Sequence, residues 1–313
     1  MKKLLVNIFF LLMTILPLCA SADGVSVFGN YLYWNASEQT SSVWANEIGV
    51  PHADEITYTL PNVKFNWSSG FRGGIAYESP HFWDTKLYWT HLPTNKNLSI
   101  TANNSIITPQ FFSGYLSKDF FSSDSTNWKI IMNTIDFEIS HKINLTPSLI
   151  ISPKIGVKGA IINQTIDSDL SNIFFSSTET VENDFSGVGP SFGVDGKWNF
   201  YKDFSFLANF STALMWGRWN VNDTYTRPSA FFGLISPTTI TSSMNNTKLG
   251  TTMFQYFLGM EWTKHQPNYQ VTAQLGYEMQ YWPYQLRALA FQEFPLHGDL
   301  TLQGVTCGIS VGF

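Results

Sequence analysis

The sequence predicts an all-β fold: a transmembrane, antiparallel, up-and-down β-barrel of about ten strands. Three observations predict it. Long segments alternate apolar and polar residues with a period of two. The connections between them alternate strictly between short and long. After the N-terminal segment, no apolar run approaches the roughly 18 residues that a membrane helix needs.

The clearest alternation runs from Val63 to Leu92. Val63, Phe65, Trp67, Ser69, Phe71, Gly73, Ile75 and Tyr77 form one phase. Lys64, Asn66, Ser68, Gly70, Arg72, Gly74, Ala76 and Glu78 form the other. A turn at Ser79-Pro80-His81 follows, and the period resumes with Trp83, Thr85, Leu87 and Trp89 against Asp84, Lys86, Tyr88 and Thr90. This is a hairpin with one apolar and one wet face. In a soluble sandwich the apolar face meets a second sheet; in a membrane barrel it meets lipid.

Composition narrows the choice. Only 13% of the 313 residues are charged while 16% are aromatic, and mean hydropathy is close to zero. Lys2 and Lys3, the apolar stretch Leu4 to Leu18 and the small residues Ala20-Ser21-Ala22 read as a secretory signal peptide over residues 1–22, with residues 23–313 as the mature barrel. Removing Lys2 and Lys3 from 18 basic residues leaves 16 against 23 acidic ones, a formal charge of −7. No basic cluster suited to nucleic acid remains. Cys307 is the only cysteine left, so an intrachain disulfide is excluded. An exported chain of amphipathic strands without a helical anchor points to the bacterial outer membrane.

The strands follow in order. Val25 to Ala36 is the first, with aromatics on both faces. The hairpin above supplies the second and third. Trp128 to His141 sets Ile131, Ile135, Phe137 and Ile139 against Thr134, Asp136, Glu138 and Ser140. After a turn at Asn144-Leu145-Thr146, Leu149, Ile151, Ile155, Val157 and Ile161 alternate with Ser152, Lys154, Gly156 and Lys158. The sixth strand sets Val188, Phe192, Val194, Trp198 and Phe200 outward, and Pro190 in that run removes one ladder hydrogen bond. Phe204 to Trp216, Thr252 to Trp262, Tyr269 to Met279 and Val305 to Phe313 complete the set. Long extracellular loops are expected at about 37–61, 93–127, 163–185, 220–247 and 283–297. A further pair hidden in the second or fourth loop would make twelve strands. Long external loops, short periplasmic turns and an even strand number are the pattern of outer-membrane barrels.

Several stretches carry a family resemblance. They are Tyr31-Leu-Tyr-Trp-Asn35, Gly70-Phe-Arg-Gly-Gly-Ile-Ala-Tyr77 followed by Trp83-Asp84, and Gly187-Val-Gly-Pro-Ser-Phe-Gly-Val-Asp195. Leu275-Gly-Tyr-Glu-Met-Gln-Tyr-Trp282 and Leu302-Gln-Gly-Val-Thr306 follow near the end. Together the chain resembles the Legionella-type major outer-membrane protein family of pore-forming barrels, with relatives among chlamydia-like bacteria. The resemblance covers nearly the whole mature chain and implies a pore. It supplies no catalytic motif.

The inward phase holds the candidate functional groups: Lys64, Arg72, Asp84, Lys86, Asp136, Glu138, Lys154, Lys158, Asp195, Lys197, Glu261 and Glu278. They either line a channel for small solutes or ions or pair across a tube narrow enough for side chains to fill. The outward Trp67, Trp83, Trp89, Trp198, Trp216, Trp262 and Tyr281 fit interfacial girdles against outer-membrane lipid and lipopolysaccharide. The alternating final strand ending in Phe313 reads as the signal for the barrel assembly machinery. No catalytic residue, metal or cofactor site is expected: HExxH and CxxC elements are absent. Adjacent Ser140 and His141 point to opposite faces, whereas His52, Asp54 and Glu55, or His297 and Asp299, lie in loops where an outer-membrane hydrolase would recruit them. The expectation is a porin-like barrel, with a non-conducting structural or adhesive barrel as the alternative.

Overall fold

The computed structural model describes residues 24–39, 45–49, 58–59, 62–79, 83–103, 105–109, 120–228, 236–288 and 296–313. The signal-peptide reading of residues 1–22, and His52, Asp54 and Glu55, lie outside the described residues.

Ten antiparallel strands close on themselves: β1 (Val25–Glu38), β4 (Trp67–Glu78), β5 (Trp83–Thr101), β7 (Ser123–His141), β9 (Leu149–Ser171), β10 (Ser176–Tyr201), β11 (Phe204–Arg227), β12 (Thr238–His265), β13 (Gln270–Ala288) and β14 (Leu296–Gly312). Each pairs with its barrel neighbour in the chain, and β14 returns to β1 from Ser26↔Gly312 to Glu38↔Leu300. Closure leaves no sheet edge facing lipid, which offers a backbone amide no partner. Four short strands stand outside the ring. β8 (Ile143–Thr146) pairs with the start of β9, and β2 (Ala45–Gly49), β3 (Tyr58–Thr59) and β6 (Ser105–Pro109) form a separate sheet. Thus β6, inside the expected second loop, does not add a barrel strand, and the barrel has ten strands among the described residues, not twelve.

The strands outrun the expected loops. β9 and β10 run through the region 163–185 and leave only Asn172 to Phe175 as a turn. β11 and β12 likewise extend through most of 220–247, and β5 and β7 enter 93–127 from both sides. The last expected loop, 283–297, is shortened by β13 reaching Ala288 and β14 beginning at Leu296. The reason is a change of phase. In the lower barrel, Ile155, Val157 and Ile161 face outward, and inward positions are polar or small. Higher on the same strand, Ile162, Ile166 and Leu170 face inward, while Asp167 and Asp169 face out. β11 makes the same change: Phe204, Phe206, Leu214 and Trp216 are exposed outside, then Met215, Trp219, Val221 and Tyr225 are buried inside. The outside of the barrel passes from lipid to water, so the apolar side chains move to the interior.

The apolar cluster of the upper barrel includes Leu32, Trp34, Phe65, Trp128, Phe185 and Trp282. The edges of the lipid belt carry rings such as Trp83, Trp198, Trp216 and Tyr277, 49–65% exposed, at the level suited to lipid headgroups. Leu275 is 57% exposed in mid-belt, and Gln274 beside it points inward, its amide donating to Asn30 Oδ1 at 3.2 Å. Leu275→Arg is therefore expected to cost about 2–4 kcal/mol and Gln274→Arg much less. Urea unfolding in lipid vesicles measures both, and equal costs would overturn the facing assignment.

Candidate functional site

The lumen has two storeys. The lower one, open at the end where the termini and short turns lie, is a cavity of about 740 Å³. It is lined by charged and amide side chains, among them Lys86, Glu138, Lys154, Asp195 and Gln255. The upper storey is filled by the apolar cluster. Between them a layer of ion pairs crosses the tube.

Arg72 on β4 and Glu278 on β13 form its centre. The guanidinium donates twice, Nη2 to Oε1 at 2.7 Å and Nη1 to Oε2 at 3.0 Å, and Arg72 Nε donates to Thr90 Oγ1 at 3.0 Å. Glu278 also accepts from Gln255 Nε2 at 2.8 Å and from Thr306 Oγ1 at 3.0 Å. Thr306 in turn accepts from Trp34 Nε1 at 3.1 Å. The Arg72 guanidinium lies 5.9 Å from the Trp34 ring and 5.6 Å from that of Tyr88. A bidentate, fully hydrogen-bonded pair of this kind is what makes a buried charge tolerable. Six strands contribute to one network, which braces the tube across its diameter.

Further pairs fill the ring. Lys158 pairs with Asp136, both almost fully buried. Lys154 bridges Glu138 at 3.2 Å and Asp195 at 3.0 Å, and Tyr88 Oη donates to Glu138 Oε1 at 3.0 Å. Lys197 reaches across β11 to Glu261. Near the mouth, Lys142 holds Asp84 at 3.0 Å and Glu78 at 2.8 Å.

The predicted set therefore divides. Arg72, Lys86, Glu138, Lys154, Asp195, Lys197, Glu261 and Glu278 line the lower cavity. Asp84, Asp136 and Lys158 are buried in pairs. Lys64 does not join them, which corrects the sequence reading. Residues 62–66 are irregular, so the alternation slips before β4 begins: Val63 and Phe65 are buried and Lys64 is exposed. Glu78 was visible in the polar phase of its strand, and Lys142 carried no periodic signal because it sits in the turn. At the rim, His297 stacks edge-on to Tyr284, and Asp299 is held by the Tyr284 amide at 2.8 Å and by the Tyr281 hydroxyl. Among the described residues, no group of three or more His, Cys, Asp or Glu is placed to hold a metal ion.

The residues that sequence reasoning missed lie in the upper storey. Asp124 (β7), Glu179 (β10) and Asp223 (β11) face inward, each no more than 2% exposed. Both carboxylate oxygens of Glu179 and of Asp223, and one of Asp124, have no hydrogen-bond partner. These positions stand above the lipid belt, where the outward faces of β9 and β10 carry Asp167, Asp169, Glu182 and Asp184. Burial pushes Asp124 up to about 7, opposed by the Thr126 hydroxyl and reinforced by Asp169. It pushes Asp223 up to about 8. Burial, with Asp223 and Asp124 nearby, holds Glu179 well above the carboxylate range. Tyr225 donates to Ser177 Oγ at 2.9 Å, Arg287 stacks 4.4 Å over Trp219, Arg227 lies over Phe175, and Glu38 on β1 adds another acid. Their sequence signal was an isolated acid in the apolar phase of a segment that reads as loop.

A family model described as the Legionella pneumophila major outer membrane protein precursor matches residues 20–313. The chain belongs to that family. No curated protein matches it in sequence. Among solved structures it is similar to the outer membrane protease OmpT of Escherichia coli, with 12% identity over 94% of this chain and 98% of that one, at a TM-score of 0.47. It is similar also to a FadL homologue of Pseudomonas aeruginosa (8% identity, 94% and 91% covered, TM-score 0.26) and to the monoaromatic hydrocarbon channel CymD (8%, 93% and 89%, 0.34). The family membership and the closed barrel make this an outer-membrane protein.

Two outcomes follow. Arg72→Met leaves Glu278 buried without its cation and is expected to cost about 3–5 kcal/mol, whereas Arg72→Met with Glu278→Leu recovers most of it; unfolding midpoints in vesicles compare them. The second concerns pH. Because the folded pKa values of Asp124, Glu179 and Asp223 are raised, the stability of the upper storey is complete below the ordinary carboxylate range and is lost as pH rises through about 7 to 8. Amide exchange at the upper ends of β10 and β11 should accelerate across that window. Glu179→Gln with Asp223→Asn should flatten the dependence.

Proposed function

We propose that the protein is a gated pore for small solutes or ions, closed in the conformation described. One observation carries the reading: the plug above the polar cavity contains carboxyl groups with no partner. A barrel that served only as a wall would gain stability from apolar residues at Asp124, Glu179 and Asp223, since a polar group buried without a bond costs roughly 1–3 kcal/mol. Departures from local consistency of this sort mark functional positions. Neutral, the three acids are tolerated in the core. Ionised, they repel one another and draw water, and the packing between the cavity and the cell surface loosens.

The charged lining of the lower storey suits the passage of small hydrophilic solutes. Its cations and anions alternate, as where Lys154 bridges Glu138 and Asp195 and Lys197 meets Glu261, so a solute ion finds an alternative partner at each step. The second reading, a non-conducting barrel acting through its outer surface, is favoured by the extension of β9 to β12 well beyond the lipid belt.

Planar-bilayer recording of the refolded mature chain separates the two. The expected result is silence near pH 5.5 and unitary steps near pH 8.5, on either side of the titration window of the buried acids. Glu179→Gln with Asp223→Asn should stay silent at both. A folded wild-type barrel that is silent throughout would overturn the pore and leave the surface reading.

A further inference from the structure

A second concavity lies on the outside of the barrel, at the upper edge of the lipid belt, and is independent of the pore. It measures about 420 Å³ and is bounded by Tyr33, Trp67 and Tyr277 with the amides of Asn35, Asn66 and Gln303. The Tyr33 and Trp67 rings are stacked, with centroids 5.2 Å apart and planes 21° from parallel. All three aromatic residues remain 44–49% exposed.

The platform is built rather than incidental. Trp67 opens β4 and stands diagonal to Tyr33 across the β1–β4 ladder, where Asn35 is its register partner. Gly304, opposite Trp34 in the β1–β14 ladder, makes room for the ring. A Cβ there would meet Trp67 Cζ3 at 2.8 Å and the Tyr33 carbonyl oxygen at 2.2 Å. Asn35 Nδ2 donates to the Phe65 carbonyl at 2.7 Å, which fixes the chain just before the tryptophan. Asn66 Oδ1 accepts from Lys96 Nζ at 3.1 Å, which holds that carboxamide in place.

Flat rings flanked by neutral amides are complementary to one chemical class. The apolar C–H face of a pyranose packs on an aromatic ring, and its hydroxyls exchange hydrogen bonds with carboxamides, which donate and accept. No carboxylate bounds the groove, and Lys96 is engaged by Asn66. The height is also specific. The groove sits where outward residues change from apolar to polar, which is the level of outer-leaflet headgroups. We infer that this groove is a binding site for a pyranose ring of an outer-leaflet glycolipid.

A girdle tryptophan anchors a barrel in any case, so the test must separate anchoring from recognition. Wild type, Trp67→Ala, Gln303→Ala and Trp216→Ala are refolded into vesicles containing lipopolysaccharide, and native mass spectrometry measures the glycolipid retained per barrel after mild detergent extraction. Trp216 is the control, 65% exposed in the belt and outside the groove. The expected result is retention by wild type and Trp216→Ala, and a fall of about tenfold in Trp67→Ala with a smaller fall in Gln303→Ala. Equal losses in both tryptophan variants, or none in Trp67→Ala, would overturn the site. Migration as a closed, unheated barrel shows that each variant is folded. Methyl glucoside added to wild type in the same vesicles distinguishes the source of the sugar: competition at millimolar concentration would show a site for free sugar and overturn the glycolipid assignment.

Discussion

Everything in this barrel follows from one constraint: the medium outside its wall changes halfway up. Below the change it is hydrocarbon, and a strand places Ile155, Val157 or Phe206 outward at no cost while its inward side chains must satisfy one another. Above it is water, and the same strand turns its apolar residues, Ile162, Ile166 or Trp219, into the interior. The hydrophobic effect supplies the upper half with a protein-like core and the lower half with nothing inside at all. Charge fills the lower half for that reason. The layer at the junction, where Arg72 and Glu278 meet under Trp34, is where the two regimes are joined.

That junction also explains why the polar interior is composed of pairs. Lysines and carboxylates on neighbouring strands, as in Lys154 with Glu138 and Asp195, neutralise each other at short range, and the barrel needs no net charge inside it. Each pair is demanding, since removal of one member strands the other in a low dielectric. The upper acids break this habit: Glu179 lies near Asp223 and Asp124, and the carboxylate oxygens of Glu179 and Asp223 have no hydrogen-bond partner. The proposed sensitivity of the plug to pH rests on the contrast between compensated charge below and uncompensated acid above.

Much of this was legible in the chain. The ten strands, the facing of Leu275 against Gln274 and the inward charges from Arg72 to Glu278 followed from a period of two, because lipid on one side and polar lumen on the other impose it without exception. The rule failed where its premise failed. Val63 and Phe65 belong by count to the outward phase but lie before the regular part of β4, and the irregular backbone turns them inward and Lys64 out. The upper halves of β9 to β12 read as loops because their outward residues are those of a soluble surface, Asp167, Asp169, Asn220 and Asn222 among them, so only a reversed phase remained to mark them as strand. Asp124, Glu179 and Asp223 were invisible for the same reason, and their chemistry depends on burial that no spacing encodes.

The ladder joining β1 to β14 has a consequence for biogenesis. Ser26 finds its partner Gly312 almost the full length of the chain away, so the first strand emerges from the export machinery long before the residues that will complete it. Until then its unpaired amides and carbonyls present a template to any other chain in the periplasm. The two lateral edges of the growing sheet disappear together, in a single event that occurs last. Escort and quality control therefore have a single criterion to monitor, the presence of the seam, and a chain halted anywhere short of β14 is not a smaller barrel but an open sheet with two reactive borders.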